Sequence, residues 1–302
     1  MTDLMANIRS KIETNTRISD AEALALFESS DLLAIGELAA LANRSKNGNK
    51  VFFNVNRHIN YTNLCVNRCA FCAFSKEDGE QGGYTLALKD IRQRAREAAD
   101  SGATEIHMVG GLHPDLPFEF YLEMLEVIKK ERAKLHIKAF TAVEIDYFSE
   151  VAELSIERVV ERLKQAGLDS MPGGGAEIFD QKVRDQLCSE KISGERWLEV
   201  TELAHNAGLR SNATMLFGHV ESYADRVDHL QRLRDLQDRT GGFQTFIPLA
   251  FQPENTRIQN AAGVGGVDAL KTLAISRIYL DNFQHIKAYW VMLGLKIAQV
   301  AL

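Results

Sequence analysis

Residues 63–72 read Asn63-Leu64-Cys65-Val66-Asn67-Arg68-Cys69-Ala70-Phe71-Cys72, and they hold three of the four cysteines of this 302-residue chain. The spacing C-x3-C-x2-C is too crowded for a set of separate structural disulfide bonds. A single free cysteine is often just a small buried residue, but three in such a run point to a shared chemical role. We interpret the run as a group of thiolate ligands.

This spacing favours one kind of inorganic group over another. Three neighbouring thiolates can bind three irons of a [4Fe–4S] cluster, which leaves the fourth iron open to an exogenous ligand. A structural zinc site would need a fourth protein ligand. His58 or Cys188 could supply it, although neither lies at a usual zinc spacing. We predict Cys65, Cys69 and Cys72 as cluster ligands and Cys188 as a structural thiol, with a zinc-binding structural barrel as the alternative.

Outside the cysteine run the chain alternates between strand-like and helix-like segments. Short β-branched and aromatic runs predict strands, and apolar residues at helical spacing predict helices. The predicted strands are residues 51–56, 104–109, 135–142, 168–171, 209–217, 243–250 and 285–292. The predicted helices between them are residues 86–100, 117–133, 156–166, 194–207, 223–238 and 267–283. This alternation is typical of a parallel sheet with crossover helices.

The alternation predicts an α/β fold, a (β/α) TIM-like barrel that is closed or partly closed, with a doubly wound open sheet as the alternative. Residues 1–50 are predicted as a helical extension, in which Ser19 and Glu22 fit a capping box. Residues 51–302 are predicted as the barrel core. We expect a truncated C-terminus, because a closed barrel needs one strand more than the seven predicted. Reactive residues belong at the carboxyl ends of the strands, where the cysteine run lies.

The composition is that of an ordinary soluble globular protein, with 45% hydrophobic and 25% charged residues. The formal net charge is −6 and the basic residues form no run, so we expect neither nucleic acid nor a membrane as a partner. The chain shows no pattern of a secretory signal and no apolar run of membrane-spanning length. These features predict a cytoplasmic protein.

A C-x3-C-x-aromatic-C run after the first strand of a (β/α) pattern resembles the signature of the radical S-adenosylmethionine superfamily. The resemblance implies a [4Fe–4S] cluster on Cys65, Cys69 and Cys72 whose open iron binds S-adenosylmethionine. One electron then cleaves the sulfonium to methionine and a 5′-deoxyadenosyl radical, while the protein binds, orients and excludes water. A reducing donor such as flavodoxin or ferredoxin is implied as a partner.

The resemblance also implies cofactor positions beyond the cysteines. Phe71 precedes the last cysteine, where the backbone usually meets the adenine. Gly110 and Gly111 end the second strand, where the superfamily places a glycine-rich turn against the methionine end of the cofactor. Most members continue with an acidic residue, which this chain lacks. Glu177 follows the fourth strand, where a polar residue commonly reaches the ribose, and we predict it as a cofactor-binding residue, with a carboxylate in the first turn of a helix as the alternative.

Loop motifs narrow the resemblance to the aminofutalosine synthase family of the futalosine route to menaquinone. They are residues 109–117 (VGGLHPDLP), 138–145 (KAFTAVEI), 171–178 (MPGGGAEI), 211–219 (SNATMLFGH) and 248–256 (PLAFQPENT). For that family the implied reaction adds the adenosyl radical to the enolpyruvyl double bond of 3-[(1-carboxyvinyl)oxy]benzoate. Rearrangement and loss of the carboxylate carbon then give aminofutalosine, so S-adenosylmethionine is consumed. The cyclase of the same route is the alternative.

Such a small-molecule substrate needs cations for two carboxylates and a site that excludes water. Lys138 and Arg210 lie on or just before predicted strands and are the candidate cations for substrate binding. Asn212 and Thr214 alternate along the fifth strand, so both face one side and can hydrogen-bond the substrate.

Three further polar residues follow predicted strands. His113 and His219 are candidate catalytic residues, because imidazole can transfer a proton or bind a carboxylate near neutral pH. Glu144 follows the third strand and is a candidate for binding the nucleoside hydroxyls of the cofactor. For both histidines the alternative is a ring hydrogen-bonded to a loop carbonyl.

Overall fold

A computed structural model describes residues 2–258 and 263–302. In these ranges seven strands form one sheet in chain order, and each strand pairs in parallel with the next. The strands are β1 Asn56–Ile59, β2 Glu105–Met108, β3 His136–Ala139, β4 Ser170–Met171, β5 Arg210–Phe217, β6 Phe243–Ala250 and β7 His285–Ile286. β1 and β7 do not pair within the described residues, so the sheet curls into a half-barrel. The predicted α/β barrel class is confirmed in its partly closed form.

Helices precede the sheet and connect its strands. Before β1 lie α1 Thr2–Glu13, α2 Asp20–Glu28 and α3 Leu32–Asn47. The connecting helices are α4 Leu88–Asp100, α5 Phe118–Glu131, α6 Ala142–Val151, α7 Ile156–Ala166, α8 Gln181–Cys188, α9 Gly194–Asn206, α10 Tyr223–Thr240 and α11 Gly266–Tyr279. After β7 come α12 Trp290–Leu293 and α13 Leu295–Val300. No helix in the described ranges is long and apolar enough to cross a membrane.

The N-terminal helices are fixed to the last third of the half-barrel. α2 and α3 pack on α10 and α11, and the predicted capping box at Ser19 and Glu22 is present. The buried Lys271 of α11 donates from Nζ to the carbonyl of Phe27 at 3.0 Å and of Ser29 at 2.8 Å. These hydrogen bonds satisfy carbonyl groups that the end of α2 leaves without helical partners.

The first strand begins later than the sequence predicts. Of residues 51–56 only Asn56 belongs to β1, and the preceding apolar side chains are exposed, Phe53 to 88%. Residues with high strand propensity form strands where their side chains fit a half-buried pleated surface. Residues 51–55 do not lie against such a surface, so they form no strand. Hydrogen bonding to the next strand starts only where the carbonyl of Val55 accepts from the Thr104 N–H at 2.8 Å.

The last predicted strand is wrong over most of its length. Of residues 285–292, only His285 and Ile286 pair with β6, and a helix begins at Trp290. β7 lies at the edge of the sheet, and no described strand pairs with its outer side. It therefore has hydrogen-bonded strand partners on one side alone.

Two helices that the sequence analysis does not predict, α6 and α8, follow the carboxyl ends of β3 and β4. Thr141 begins α6 with a reciprocal capping box to Glu144. Asp180 begins α8 by accepting a hydrogen bond from the N–H of Val183. Both helices are short, so the apolar period that marks longer helices is weak in them.

One row of side chains crosses the concave face of the sheet. Strand pairing aligns His58, His107, Lys138, Ser170 and Arg210, one from each of the first five strands. Their sequence neighbours point to the opposite face, because side chains alternate along a strand. We call these five residues the lumen row.

Candidate active site

The cysteine run lies in the loop after β1 and lines a cavity of about 150 Å³. Cys65, Cys69 and Cys72 all contribute to the cavity wall, and Cys69 is buried. Burial raises the pKa of the Cys69 thiol to about 12. The rest of the wall comes from Asn67, Phe71, Phe74, Ser75, Val109, Gly110, Gly111, Leu112, Thr141, Val143, Glu144, Gly175 and Lys191.

The donor set fits a cluster better than a single metal ion. Within residues 2–258 and 263–302, no three His, Cys, Asp or Glu side chains are grouped so that they could hold one metal ion. A structural zinc ion requires such convergence, because four ligands share one ion. In an iron–sulfur cluster each thiolate binds its own iron, so thiols that are spread around one cavity suit it.

Gly110 and Gly111 bring the end of β2 directly against the cysteine loop. A Cβ at Gly110 would lie 2.5 Å from the Tyr61 ring, and a Cβ at Gly111 would lie 2.0 Å from the carbonyl oxygen of Leu64. The N–H of Gly111 donates to the carbonyl of Thr62 at 3.1 Å. Both positions therefore require glycine because Tyr61 and Leu64 approach them closely, and their predicted role in facing the cofactor stays a prediction.

The residue after this turn contacts one of the cysteine ligands. The N–H of Leu112 donates to Sγ of Cys65 at 3.3 Å, and the carbonyl of Leu112 accepts from the N–H of Val66 at 2.9 Å. Hydrogen bonds to cluster sulfurs are one of the means by which a protein tunes the reduction potential of a cluster.

Glu144 lies in the cavity wall with its oxygens already bound. Oε1 accepts from the hydroxyl of Tyr61 at 2.6 Å and from the N–H of Gly110 at 3.3 Å, and Oε2 accepts from the N–H of Thr141 at 2.7 Å. Burial raises the pKa of Glu144 although these hydrogen bonds oppose the rise. The carboxyl group thus connects the ends of β1, β2 and β3 and positions them relative to one another.

Glu177 and Lys191 form a buried ion pair beside the cysteines. Their Oε1 and Nζ atoms are 2.8 Å apart, and Nζ of Lys191 lies 5.0 Å from the centre of the Phe71 ring. Burial alone would lower the pKa of Lys191, but Glu177 and the neighbouring thiols hold it above the ordinary value. Sequence reasoning missed Lys191, because it lies beyond the unpredicted α8, far along the chain from the cysteines.

A buried arginine of α8 positions both members of this ion pair. Nη1 of Arg184 donates to the carbonyls of Ala176 at 2.7 Å and Ile178 at 3.0 Å, the two neighbours of Glu177. Nη2 donates to the carbonyl of Ile192, next to Lys191. Glu177 itself has a φ of 48°, in the left-handed region that costs energy in a residue with a side chain. The arginine holds it there.

The two predicted catalytic histidines differ in how many of their ring nitrogens are hydrogen-bonded within their own loops. His113 is buried, its Nδ1 accepts from the N–H of Asp115 at 3.1 Å, and its carbonyl accepts from the hydroxyl of Tyr147 at 2.8 Å. His219 donates from Nε2 to the carbonyl of Leu216 at 3.0 Å, and its Nδ1 lies 2.7 Å from the backbone nitrogen of Val220 and 2.9 Å from Oε2 of Glu221. Both ring nitrogens of His219 are therefore engaged within its own loop.

The loop of His219 is locked by a buried charge network. Glu221 accepts from the N–H of Gly218 at 2.6 Å and of His219 at 2.9 Å, and its Oε1 lies 2.8 Å from the guanidinium of Arg226. Burial alone would raise the pKa of Glu221, but His219, Arg226 and the Gly218 N–H lower it to about 2.

The predicted substrate-binding residues lie along the concave face but not at one level. Lys138 is buried and pairs with Glu105 at 2.8 Å. Thr214 is buried and donates to the carbonyl of Gly173 at 2.6 Å, and Asn212 is buried two residues before it. Arg210 is exposed at the start of β5, at the end of the sheet opposite the cysteine loop.

Comparison with known sequences identifies the family to which this geometry belongs. The profile of the radical SAM superfamily, where SAM is S-adenosylmethionine, matches residues 59–233. The chain belongs to the radical SAM superfamily. A second profile, the CofH/MqnC C-terminal region, matches residues 240–302. The family implies an iron–sulfur cluster and SAM, and the chain is a radical SAM enzyme.

Three relatives with different names are about equally similar to this radical SAM enzyme. Aminodeoxyfutalosine synthase of Thermus thermophilus is 43% identical over 98% of this chain and 80% of that protein. The 5-amino-6-(D-ribitylamino)uracil–L-tyrosine 4-hydroxyphenyl transferase of Methanopyrus kandleri is 42% identical over 84% and 70%. Cyclic dehypoxanthine futalosine synthase of Streptomyces coelicolor is 40% identical over 95% and 73%. Identity alone does not separate their reactions.

Solved radical SAM structures share the fold at low sequence identity. Methylornithine synthase (PylB) superposes with a TM-score of 0.77 at 16% identity, covering 97% of this chain and 82% of that one. The hydrogenase maturase HydG from Carboxydothermus hydrogenoformans superposes with a TM-score of 0.73 at 19% identity, covering 93% and 65%.

The glycine turn generates a prediction about cluster binding. Gly111→Ala would place a Cβ 2.0 Å from the Leu64 carbonyl, so we expect the cysteine loop to shift and the chain to lose most of its iron after anaerobic reconstitution. Gly36→Ala is the matched control, because its Cβ meets nothing within 4 Å in the middle of α3. Iron and sulfide analysis with circular dichroism checks both variants. Full iron loading in Gly111→Ala would contradict the prediction.

The charge network at Glu221 generates a prediction about pH. Because the folded pKa is lowered from 4.5 to about 2, this carboxylate stabilises the fold above pH 4.5 and loses that contribution as the pH falls towards 2. We expect Glu221→Gln to be less stable near neutral pH and to lose less stability on acidification, by up to about 3 kcal/mol. Urea unfolding at several pH values measures this, with the exposed Glu123→Gln as control. Parallel pH profiles for wild type and Glu221→Gln would rule out the assignment.

Proposed function

We propose that this radical SAM enzyme adds the 5′-deoxyadenosyl group of SAM to the enolpyruvyl double bond of 3-[(1-carboxyvinyl)oxy]benzoate. Rearrangement with loss of a carboxylate carbon then gives aminodeoxyfutalosine, an intermediate of menaquinone synthesis. Two observations support the proposal together. The loop motifs at residues 109–117, 138–145 and 171–178 resemble those of the synthase family, and the Thermus thermophilus synthase is 43% identical over 98% of the chain, which spans both the cysteine loop and the C-terminal region.

The cavity residues are proposed to hold the two cofactors. Cys65, Cys69 and Cys72 would ligate a [4Fe–4S] cluster, which supplies the single electron that cleaves bound SAM. Lys191 lines the cavity and would place its ammonium group, which Glu177 holds in position, beside the methionine moiety of SAM. Its partner Glu177 would meet the ribose hydroxyls.

The neighbouring backbone groups would orient SAM. The backbone at Phe71 would meet the adenine, and the turn at Gly110 and Gly111 would face the methionine end. The turn can do so because no side chain stands between its backbone and the cavity. Glu144 would act indirectly by holding that turn in place.

The concave face is proposed to hold the second substrate. Arg210 would bind one of its carboxylates. Lys138 would position Glu105 and the wall beside the substrate, because Glu105 already pairs with it. Asn212 with Thr214 would contact the substrate from β5. His113 follows the glycine turn and would handle a proton at its free Nε2. A flavodoxin or a ferredoxin would deliver the electron.

The competing function is that of the cyclase, which abstracts a hydrogen and closes a ring, and 40% identity to the Streptomyces coelicolor enzyme favours it as the second candidate.

The decisive experiment incubates reconstituted, reduced enzyme with SAM and the enolpyruvyl ether. Mass spectrometry should detect an adenosylated, decarboxylated product. Free 5′-deoxyadenosine as the sole nucleoside product would exclude the synthase reaction. Parallel incubations with dehypoxanthine futalosine, and with tyrosine plus 5-amino-6-(D-ribitylamino)uracil, test the reactions of the other relatives.

The cysteines provide a matched pair of variants. Cys69→Ala removes a proposed ligand, so we expect it to lose the cluster and all cleavage of SAM. Cys188→Ala removes the other buried thiol of the same region, and we expect it to retain about four irons per chain and the cleavage activity. Iron analysis and chromatography of the nucleoside products check both. Retained cleavage in Cys69→Ala, or one zinc per chain in place of iron, would refute the ligand assignment.

A further inference from the structure

The concave face carries a cluster of basic side chains below the cysteine cavity. The imidazoles of His58 and His107 stack with their centres 4.5 Å apart, and Lys138 follows them in the lumen row. Lys287, one residue after β7, reaches the same region from the far edge of the sheet. Its charge acts on both histidines. The cluster thus joins the two edges of the half-barrel that no strand pairing connects.

Glu105 is the carboxylate that contacts this cluster, and both of its oxygens already have partners. Glu105 binds Nζ of Lys138 at 2.8 Å through Oε2. Its Oε1 accepts from the side-chain amides of Asn54 at 3.1 Å and Asn56 at 3.2 Å. These contacts neutralise Lys138 and fix it against β2, so Lys138 is less free to bind a substrate than its sequence position predicts.

Lys287 has no such partner among the described residues. Its Nζ lies 3.4 Å from Oδ1 of Asn54 and 5.7 Å from the centre of the Tyr289 ring, and none of the ion pairs in the described chain includes it. Asn54 in turn donates to Glu105, so Lys287 is connected to that carboxylate only through an amide. The side chain is half-buried, which makes an unpaired ammonium group costly.

The pKa values of the cluster agree with a lumen that is rich in positive charge. Burial lowers the pKa of Lys287 and the charge of Lys138 lowers it further, while Glu105 opposes the shift. Burial lowers the pKa of His107 to about 3, with His58 and the two lysines contributing while Glu105 opposes them. The residue His58 is exposed overall, but its ring stacks on His107, and partial desolvation of the ring followed by the charge of Lys287 lowers its pKa while Glu105 opposes the shift. An anion bound among these groups would offset the repulsion between them, although not the cost of burial.

We infer that Lys287, with His58 and His107, forms an anion site that binds one carboxylate of the substrate in the lumen of the half-barrel. Lys287 supplies the charge, and the exposed His58 supplies a neutral ring N–H donor beside it. The inference rests on the proposed function for the identity of the anion, an aryl or enolpyruvyl carboxylate. It assigns Lys287 as a substrate-binding residue and gives Lys138 the task of positioning Glu105 and the neighbouring wall.

The binding test uses benzoate as the probe and the reconstituted holoenzyme loaded with SAM, without reductant, so that the cofactor cavity is filled and no turnover occurs. Equilibrium dialysis measures benzoate affinity, with benzamide as the uncharged comparison. We expect Lys287→Gln to weaken benzoate binding about tenfold or more, and Lys287→Arg to restore most of it. Lys130→Gln is the matched control, because Lys130 is an exposed lysine of α5.

Equal benzoate affinity in wild type and Lys287→Gln would overturn the anion site, and so would benzamide binding as tightly as benzoate. Thermal unfolding checks that the variant is folded. If Lys287→Gln does not fold, His58→Gln replaces it with the same criterion, since His58 is exposed and outside the Glu105 contacts.

The outcomes separate this inference from the proposed function. Benzoate binding that depends on Lys287, in an enzyme that makes no aminodeoxyfutalosine, upholds the site and refutes the reaction. Aminodeoxyfutalosine formation with an unchanged KM for the enolpyruvyl ether in Lys287→Gln upholds the reaction and refutes the site. If both hold, the variant should raise that KM while leaving the KM for SAM unchanged.

Discussion

The active site of this enzyme depends on the close approach of two backbone segments. The turn at Gly110 and Gly111 meets the cysteine loop so tightly that a single Cβ would overlap Tyr61 or the carbonyl of Leu64. This approach allows the hydrogen bond from the Leu112 N–H to Cys65 and forms one wall of the cavity. Because neither the Tyr61 ring nor the Leu64 backbone leaves room for a Cβ, the approach requires glycine, and the surrounding polar groups maintain it.

Two buried charged residues maintain the site without having to touch a substrate. Glu144 joins the ends of the first three strands through Tyr61, Gly110 and its own helix cap. Arg184 holds the segments that carry Glu177 and Lys191. Each side chain exchanges water for several directed hydrogen bonds, which is the condition under which a buried charge is tolerated. The residues around the cavity are thus fixed by several hydrogen bonds, whereas Lys287 in the lumen has no ion-pair partner among the described residues.

Much of the fold and the metal-binding part of the site could be predicted from local pattern. Apolar periodicity located the longer helices, and the C-x3-C-x2-C spacing located the thiols that line the cavity. The errors have a common origin in tertiary contacts. Residues 51–55 have strand propensity but meet no sheet surface, and β7 is short because no described strand pairs with its outer edge. Lys191 and Lys287 carry no local signal, because each joins its cluster only through folding.

The sequence by itself determined the strand–helix alternation, the family resemblance and the group of thiols, since these depend on residues close together along the chain. The tertiary structure alone decided how each polar residue is used. Both ring nitrogens of His219 are engaged within its own loop. Glu144 connects the ends of neighbouring strands, and Glu105 neutralises the charge of Lys138. Whether a charge is free to bind a ligand depends on which partners lie within about 4 Å of it, and only the folded chain brings those partners together.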